Sequence, residues 1–117
     1  MIEVNNLTTA AADEGFLKKV AKIVLKGENK IGFGLSIALV GQERIKELNK
    51  KYRKKNQATD VLAFPYGEVV LCPEKTRDLS RILIHGILHL LGYDHEKTKK
   101  EAKRMAEKEN YYLSLIK

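Results

Sequence analysis

The sequence contains a single cysteine, Cys72, two prolines and no tryptophan. One cysteine excludes an intramolecular disulfide and a zinc site built on several cysteines, and it favours a reducing compartment. No apolar run approaches the roughly 18 residues of a membrane span, so we expect no membrane association. Residues 1–12 are polar and lack the apolar core of a signal peptide. These absences together predict a cytoplasmic location.

Acidic residues are too few to balance the basic ones. The chain of 117 residues has 22 Lys and Arg against 15 Asp and Glu, a net charge of +7. Its length predicts one domain over residues 1–117, and its hydrophobic content of 44% is typical of a globular protein. The charge favours an anionic partner, most commonly a nucleic acid. The alternative is that the lysines only keep the protein soluble.

Hydrophobic periodicity predicts an α+β fold, a small mixed β-sheet covered by helices. The predicted strands are residues 1–4, 34–40, 60–64 and 68–72, and the predicted helices are residues 13–26, 42–52, 77–91 and 98–115. The short link at residues 65–67 predicts a hairpin, and Gly27 and Gly92 are predicted to end their helices. The predicted helix residues of the core are Phe16, Leu17, Val20, Ile23, Val24, Ile45, Leu48, Ala102, Met105, Ala106 and Tyr112.

All three histidines lie within eleven residues, HGILHLLGYDH. His85 and His89 are four apart on the third predicted helix, so their rings project from one face. Gly92 then lets the chain turn back and bring His95 to the same place. Three imidazoles suit one zinc ion, or another divalent metal as the alternative, and leave a coordination position open for chemistry. The sequence therefore predicts a catalytic metal site at the C-terminal end of the third helix, with His85, His89 and His95 as ligands.

The same spacing occurs in metzincin proteases, which carry a glutamate directly after the first histidine as general base. Here that position is Gly86. A metallopeptidase is therefore one hypothesis, opposed by the missing base and by the net charge of +7.

Two motifs together resemble the YbeY family of bacterial rRNA-maturation metallo-endoribonucleases. HGILHLLGYDH at residues 85–95 resembles the family signature, and NKKYRKK at residues 49–55 followed by TDVLAFP at residues 59–65 resembles its second conserved segment. The similarity covers about residues 35–96. Glu68 stands where the family usually has aspartate, and Ala63 where it usually has serine.

The resemblance implies a zinc-dependent, single-strand-specific endoribonuclease that acts in 16S rRNA 3′-end maturation and ribosome quality control. The implied partners are a 16S rRNA precursor and the ribosome or its proteins. The implied metal ligands are His85, His89 and His95, and the family's conserved arginine corresponds to Arg53. A guanidinium there would engage two phosphate oxygens at once. It lies in the most basic stretch, residues 46–55, where Glu47 is the one acidic residue.

One length difference separates the chain from this family. Relatives generally place a further helix-sized stretch before the histidine helix, whereas residues 72–77 alone bridge that gap here. Three hypotheses for the function therefore remain: the endoribonuclease, the metallopeptidase, and a non-catalytic RNA- or ribosome-binding protein that contains zinc.

Asp94 has two interpretations, a hydrogen-bond acceptor for a histidine ring or a cap of the turn after Gly92.

Overall fold

The computed structural model describes residues 1–116. The elements in chain order are β1 (Ile2–Asn6), α1 (Glu14–Gly27), β2 (Leu35–Leu39), α2 (Gln42–Arg53), β3 (Val61–Phe64), β4 (Glu68–Leu71), a 3-10 turn (Pro73–Lys75), α3 (Leu79–Leu90) and α4 (Lys99–Ile116). This arrangement confirms the predicted α+β class. No helix in the described part of the chain is both long and apolar enough to cross a bilayer.

The four strands form one mixed sheet in the order β1-β2-β4-β3. β1, β2 and β4 run parallel, while β3 pairs antiparallel with β4, with Leu62 opposite Val70. The predicted hairpin is therefore confirmed. Gly67 supplies its turn with a φ of +108°, a conformation that only glycine adopts without strain. The β3 strand lies at the edge of the sheet, so one side of its backbone has no neighbouring strand among residues 1–116.

The sheet separates two apolar clusters of different size. The larger one packs α1, α3 and α4 against the face that carries Ile37, Leu39 and Val69. The smaller one packs α2 through Ile45 against the opposite face, where Cys72 is also buried. Burial raises the pKa of the Cys72 thiol. The histidine helix α3 therefore belongs to the main core and has a rigid support.

Helix ends and core positions correct several predictions in detail. Helix α3 begins at Leu79 rather than residue 77, because Asp78 accepts a hydrogen bond from the Arg81 N–H at 3.1 Å and caps it. Gly27 is the last residue of α1 rather than its terminator, and Asn29 adopts the left-handed conformation instead. The prediction for Gly92 is confirmed by its φ of +108°.

Two predicted core residues are on the surface. Phe16 is 37% exposed, and Ala106 is also exposed, whereas Ala21 and Leu25 of α1 and Leu113 of α4 are buried without having been predicted. The apolar stripe of each helix is therefore rotated slightly from its predicted direction. The remaining predicted core residues are buried or partly buried: Leu17, Val20, Ile23, Val24, Ile45, Leu48, Ala102, Met105 and Tyr112.

Candidate functional site

The three histidines lie together at the C-terminal end of α3. His85 and His89 project from its last two turns, and Gly92 reverses the chain so that His95 returns to the same place. The ring centroids of His85 and His95 are 5.0 Å apart, and those of His89 and His95 are 6.4 Å apart. The sequence motif thus becomes a spatial cluster because one glycine permits a tight turn.

Two of the rings are oriented by hydrogen bonds through Nδ1. His89 Nδ1 lies 3.0 Å from the carbonyl oxygen of Tyr93, and His85 Nδ1 lies 2.9 Å from Oε2 of Glu109. A carbonyl or carboxylate oxygen can only accept, so Nδ1 carries the proton in both rings. This leaves Nε2 with the lone pair that a metal ligand needs.

One of the two measured ring pairs already has the spacing of two zinc ligands. Two imidazoles that share a tetrahedral zinc through Nε2 have centroids about 5 Å apart, which matches His85 and His95. His89 and His95 are farther apart, and accordingly no three His, Cys, Asp or Glu side chains among residues 1–116 already form a metal-holding group. His95 lies in a turn with its side chain 42% exposed. Its ring therefore has room for the shift of roughly 1–2 Å that zinc binding requires.

An open pocket of about 470 Å³ connects the histidines to the edge of the sheet. Its walls are formed by three parts of the chain: the end of α2, the segment leading into and along β3, and the histidine region. The lining residues are Arg53, Thr59, Asp60, Val61, Leu62, Ala63, His85, Gly86, His89, Asp94, His95 and Glu96. All four residues predicted as site residues therefore line one pocket.

Arg53 reaches the pocket because α2 ends there. The Asn49 side chain is buried, and its Nδ2 donates to the Gln57 carbonyl at 2.8 Å, which ties the following loop to the helix. Arg53 Nη2 lies 3.9 Å from Oε1 of Glu96, and Nε2 of His95 lies 3.9 Å from the same oxygen. Glu96 therefore lies between the Arg53 guanidinium and the His95 ring. The side chains of Arg53 and Glu96 are 44% and 66% exposed.

Gly86 faces the sheet closely. A Cβ atom at this position would lie 2.8 Å from Cγ1 of Val69 and 3.1 Å from Cγ2 of Val61. A glutamate, which the metzincin mechanism would place here, has no room without moving α3 away from β3 and β4. The packing therefore counts against the metallopeptidase hypothesis independently of the sequence.

The structure decides between the two interpretations of Asp94. Its Oδ1 accepts a hydrogen bond from the Glu96 N–H at 3.0 Å, so it caps the turn after Gly92. The acceptors that orient the histidine rings are Glu109 and the Tyr93 carbonyl, neither of which was predicted. Glu109 lies 24 residues from His85 and carries no spacing signal in the sequence. Glu96, Asp60 and Thr59 were also missed as pocket residues.

A partly buried carboxylate behind the site joins three parts of the chain. Glu28, at the end of α1, accepts hydrogen bonds from Tyr93 at 2.7 Å, from Lys108 at 3.2 Å and from Tyr112. Burial by itself raises the pKa of Glu28, but the bonds from Tyr112, Tyr93 and Lys108 outweigh it and hold the pKa below the ordinary value of 4.5. Tyr93 is 7% exposed and therefore belongs to the core.

A family model described as Endoribonuclease YbeY matches residues 2–77 and 71–117. The two matched segments meet at the link between β4 and α3, where the sequence indicates a shortened stretch. The chain is 42% identical to Endoribonuclease YbeY of Thermodesulfovibrio yellowstonii, over 86% of this chain and 76% of the relative. It is 38% identical to Endoribonuclease YbeY of Aquifex aeolicus, over 86% of this chain and 81% of the relative.

A solved structure has the same fold. The solution structure of TM1509 from Thermotoga maritima superposes with a TM-score of 0.69 at 34% sequence identity. The match covers 99% of this chain and 89% of that chain. The fold of this chain is therefore shared with a protein whose structure was determined experimentally.

Proposed function

The chain belongs to the YbeY endoribonuclease family, and we propose that it cleaves single-stranded RNA in the pocket that holds the histidines and Arg53. The proposed substrate is a 16S rRNA precursor, processed at its 3′ end in the cytoplasm, with the ribosome or its proteins as partners. One observation carries the proposal: Arg53, at the end of α2, lines the same pocket as His85, His89 and His95, although at least 32 residues separate it from them in the chain.

We propose that the three histidines hold one zinc ion through Nε2. The Nδ1 bonds of His85 and His89 present the correct nitrogen, and a set of three protein ligands leaves a fourth coordination position open. A zinc ion held there would supply Lewis acidity at the phosphate and would assist the nucleophile, for which water and the RNA 2′-hydroxyl are the two candidates. Other divalent ions can bind the same nitrogen donors.

The role of Arg53 is to bind the phosphate that is cleaved. Its planar guanidinium can donate two parallel hydrogen bonds to phosphate oxygens. Charge builds up on those oxygens in the transition state, and a positive group already in place stabilises it. The 3.9 Å approach of Glu96 is loose and solvent-exposed, so a phosphate competes with it at little cost.

The open shape of the pocket fits a single strand. One wall is the edge strand β3, and the pocket is lined by side chains from three separate segments rather than by one groove-filling helix. An unpaired strand can bend into such a pocket and expose one phosphate to the histidines. The stiff geometry of duplex RNA keeps its phosphates on a regular helical surface, so we expect a duplex to be a poorer substrate.

The test compares three substrates with one metal-loaded preparation. Zinc-reconstituted protein is incubated with single-stranded RNA, duplex RNA and casein, beside a His89→Ala variant and a metal-free sample. We expect cleavage of the single strand alone, lost in the variant and in the metal-free sample. Intact single-stranded RNA would contradict the nuclease proposal, digestion of casein would favour the peptidase, and metal-independent cleavage would contradict the role of zinc.

Metal content is measured separately by elemental analysis. We expect about one zinc ion per chain after reconstitution, and loss of most of the affinity in His85→Ala or His89→Ala, because each removes one of three protein ligands. A wild-type protein that holds no metal after reconstitution would contradict the zinc site while leaving the RNA-cleavage result to stand on its own.

A further inference from the structure

Resting on the proposed function, we propose that unpaired RNA bases stack beside the pocket on an aromatic strip formed by Tyr52, Phe64 and Tyr66. The strip is a binding site for nucleobases of single-stranded RNA, while the neighbouring lysines bind the phosphates between them. It holds the strand so that the adjoining phosphate enters the pocket.

The three rings form a continuous contact across the outer end of β3. Tyr52 meets Phe64 edge to face, with centroids 5.1 Å apart, and Tyr66 stacks on Phe64 at 5.6 Å with the planes 22° apart. Phe64 is 8% exposed, whereas Tyr66 is 76% and Tyr52 56% exposed. Phe64 is therefore the fixed support, and the two tyrosines offer ring surface to solvent.

The strip begins where the pocket ends. Arg53, which lines the pocket, is adjacent to Tyr52 at the end of α2. On β3, Ala63 lines the pocket, whereas Phe64 faces the other side of the sheet, towards α2, so the strip lies around the sheet edge from the pocket. A strand with one phosphate at Arg53 therefore reaches Tyr66 by passing around the edge strand β3. Stacking on aromatic rings tolerates any base, as a site beside a cleavage pocket for single strands requires.

The charge around the strip favours a nucleic acid over an apolar protein surface. Four exposed lysines surround the end of α2: Lys50, Lys51, Lys54 and Lys55. Lys51 Nζ lies 5.4 Å from the centroid of the Tyr52 ring. Basic residues interleaved with aromatic rings are the usual composition of single-strand binding surfaces, whereas apolar protein contacts are depleted in lysine.

One acidic group adjoins the strip without blocking it. The Tyr66 hydroxyl donates to Oε1 of Glu68 at 2.7 Å, and this bond raises the pKa of Tyr66 to about 12. Because the bond is made at the hydroxyl, it fixes the ring and leaves its outer face open to a base.

The experiment measures equilibrium binding of a fluorescein-labelled 2′-O-methyl oligouridylate, a single strand that resists cleavage. Tyr66→Ala is expected to weaken binding about fivefold or more, the usual loss when one stacked base loses its aromatic partner. Tyr66→Phe should bind like the wild type, because stacking needs the ring and not the hydroxyl. Tyr111→Ala is the matched control, since Tyr111 is 54% exposed on α4, far along the chain from the strip.

A second arm uses the same oligonucleotide with abasic residues in place of its bases. We expect it to bind the wild type and Tyr66→Ala equally, because phosphate contacts alone remain. Equal affinity of wild type and Tyr66→Ala for the intact oligonucleotide would contradict the proposal that bases stack on the aromatic strip. If the wild type still cleaves single-stranded RNA in that case, the proposed function stands; if the wild type neither binds nor cleaves, the proposed function fails as well.

Discussion

At the scale of single residues, one histidine ring is held by a group outside the histidine motif and a second ring by a backbone carbonyl within it. Glu109 reaches His85 from α4 at 2.9 Å with its side chain 14% exposed, and the Tyr93 carbonyl holds His89. An acceptor of this kind fixes the ring and makes the opposite nitrogen a better ligand. Glu109 is therefore a positioning residue for the proposed zinc site rather than a ligand.

We predict that Glu109→Ala lowers zinc affinity about 10–100-fold, the usual cost of losing such an acceptor. Glu109→Gln should restore part of it, because the amide oxygen still accepts from Nδ1. The measurement is zinc competition against a chromophoric chelator, with circular dichroism to verify folding. Glu107→Ala, an exposed glutamate on the same helix, is the control. If Glu109→Ala binds zinc as tightly as the wild type, the hydrogen bond between Glu109 and His85 only holds α4 against α3.

Arg53 is expected to matter for turnover and not for folding. Its side chain is 44% exposed and its ion pair with Glu96 is long, so Arg53→Ala should unfold like the wild type and bind the same zinc. Cleavage of single-stranded RNA should be lost, and Arg53→Lys should recover only part because a lysine lacks the two-pronged donor.

The comparison for Arg53 is Arg44→Ala, at the start of the same helix with 59% of its side chain exposed. Steady-state kinetics on a defined single-stranded RNA measure both variants. If Arg53→Ala turns over RNA as fast as Arg44→Ala and wild type, the assignment of Arg53 is wrong.

At the scale of elements, the position of α3 depends on Gly86. A methyl group there would lie 2.8 Å from Val69 Cγ1, so we predict that Gly86→Ala lowers the free energy of unfolding by roughly 1–3 kcal/mol. Gly15→Ala in α1 is the matched control, because its Cβ would meet only Asp13 Oδ1 at 3.6 Å. It should be neutral or stabilise by up to about 1 kcal/mol. Urea denaturation measures both, and equal effects would contradict the close helix–sheet contact.

The ends of α1 and α4 are joined through Glu28, which makes the fold sensitive to acid. Its pKa is lowered in the folded state, so its contribution is fully present above the unfolded value near 4.5 and is lost as pH falls below it. We predict that Glu28→Gln lowers the free energy of unfolding by roughly 1–3 kcal/mol at neutral pH, since it removes hydrogen bonds to a partly buried charge. The difference from wild type should shrink below about pH 4.5, measured by urea denaturation across pH. A difference that stays constant with pH would contradict the role of the charge.

At the scale of the whole molecule, the net charge of +7 is unevenly distributed. Basic residues dominate the end of α2, whereas the lysines of α4 alternate with glutamates. We predict that neutralising Lys50, Lys51 and Lys54 together weakens binding of every single-stranded sequence about equally. The slope of log affinity against log salt should fall by roughly 0.7 for each phosphate that the protein no longer neutralises.

The matched triple variant for this test replaces Lys99, Lys100 and Lys103 of α4. Lys108 is not suitable, because its ammonium binds Glu28 and supports the fold. The α4 variant should change the salt slope less, since nearby glutamates already offset that surface. A larger drop in slope for the α4 variant would place the RNA along α4 and contradict the proposed path past α2.

Much of this protein is determined by local sequence. Periodicity of 3.6 or 2 residues located the strands and α-helices of residues 1–116 to within a few residues, because each element must hide one apolar side. The histidine cluster was also predictable from local sequence. The four-residue spacing on a helix and the helix-ending glycine both act within eleven residues. Arg53 was assigned from the family motif and not from any local rule.

Tertiary structure alone decided which groups support the site. Glu109 meets His85 across 24 residues and Glu28 meets Tyr112 across 84, and such pairs leave no periodic trace in the chain. The same holds for the aromatic strip, because Tyr52 and Phe64 are brought together only when α2 covers the sheet face beside β3. Local pattern encodes which side of an element is apolar, whereas the packing angle between elements decides which polar atoms then come within hydrogen-bonding distance.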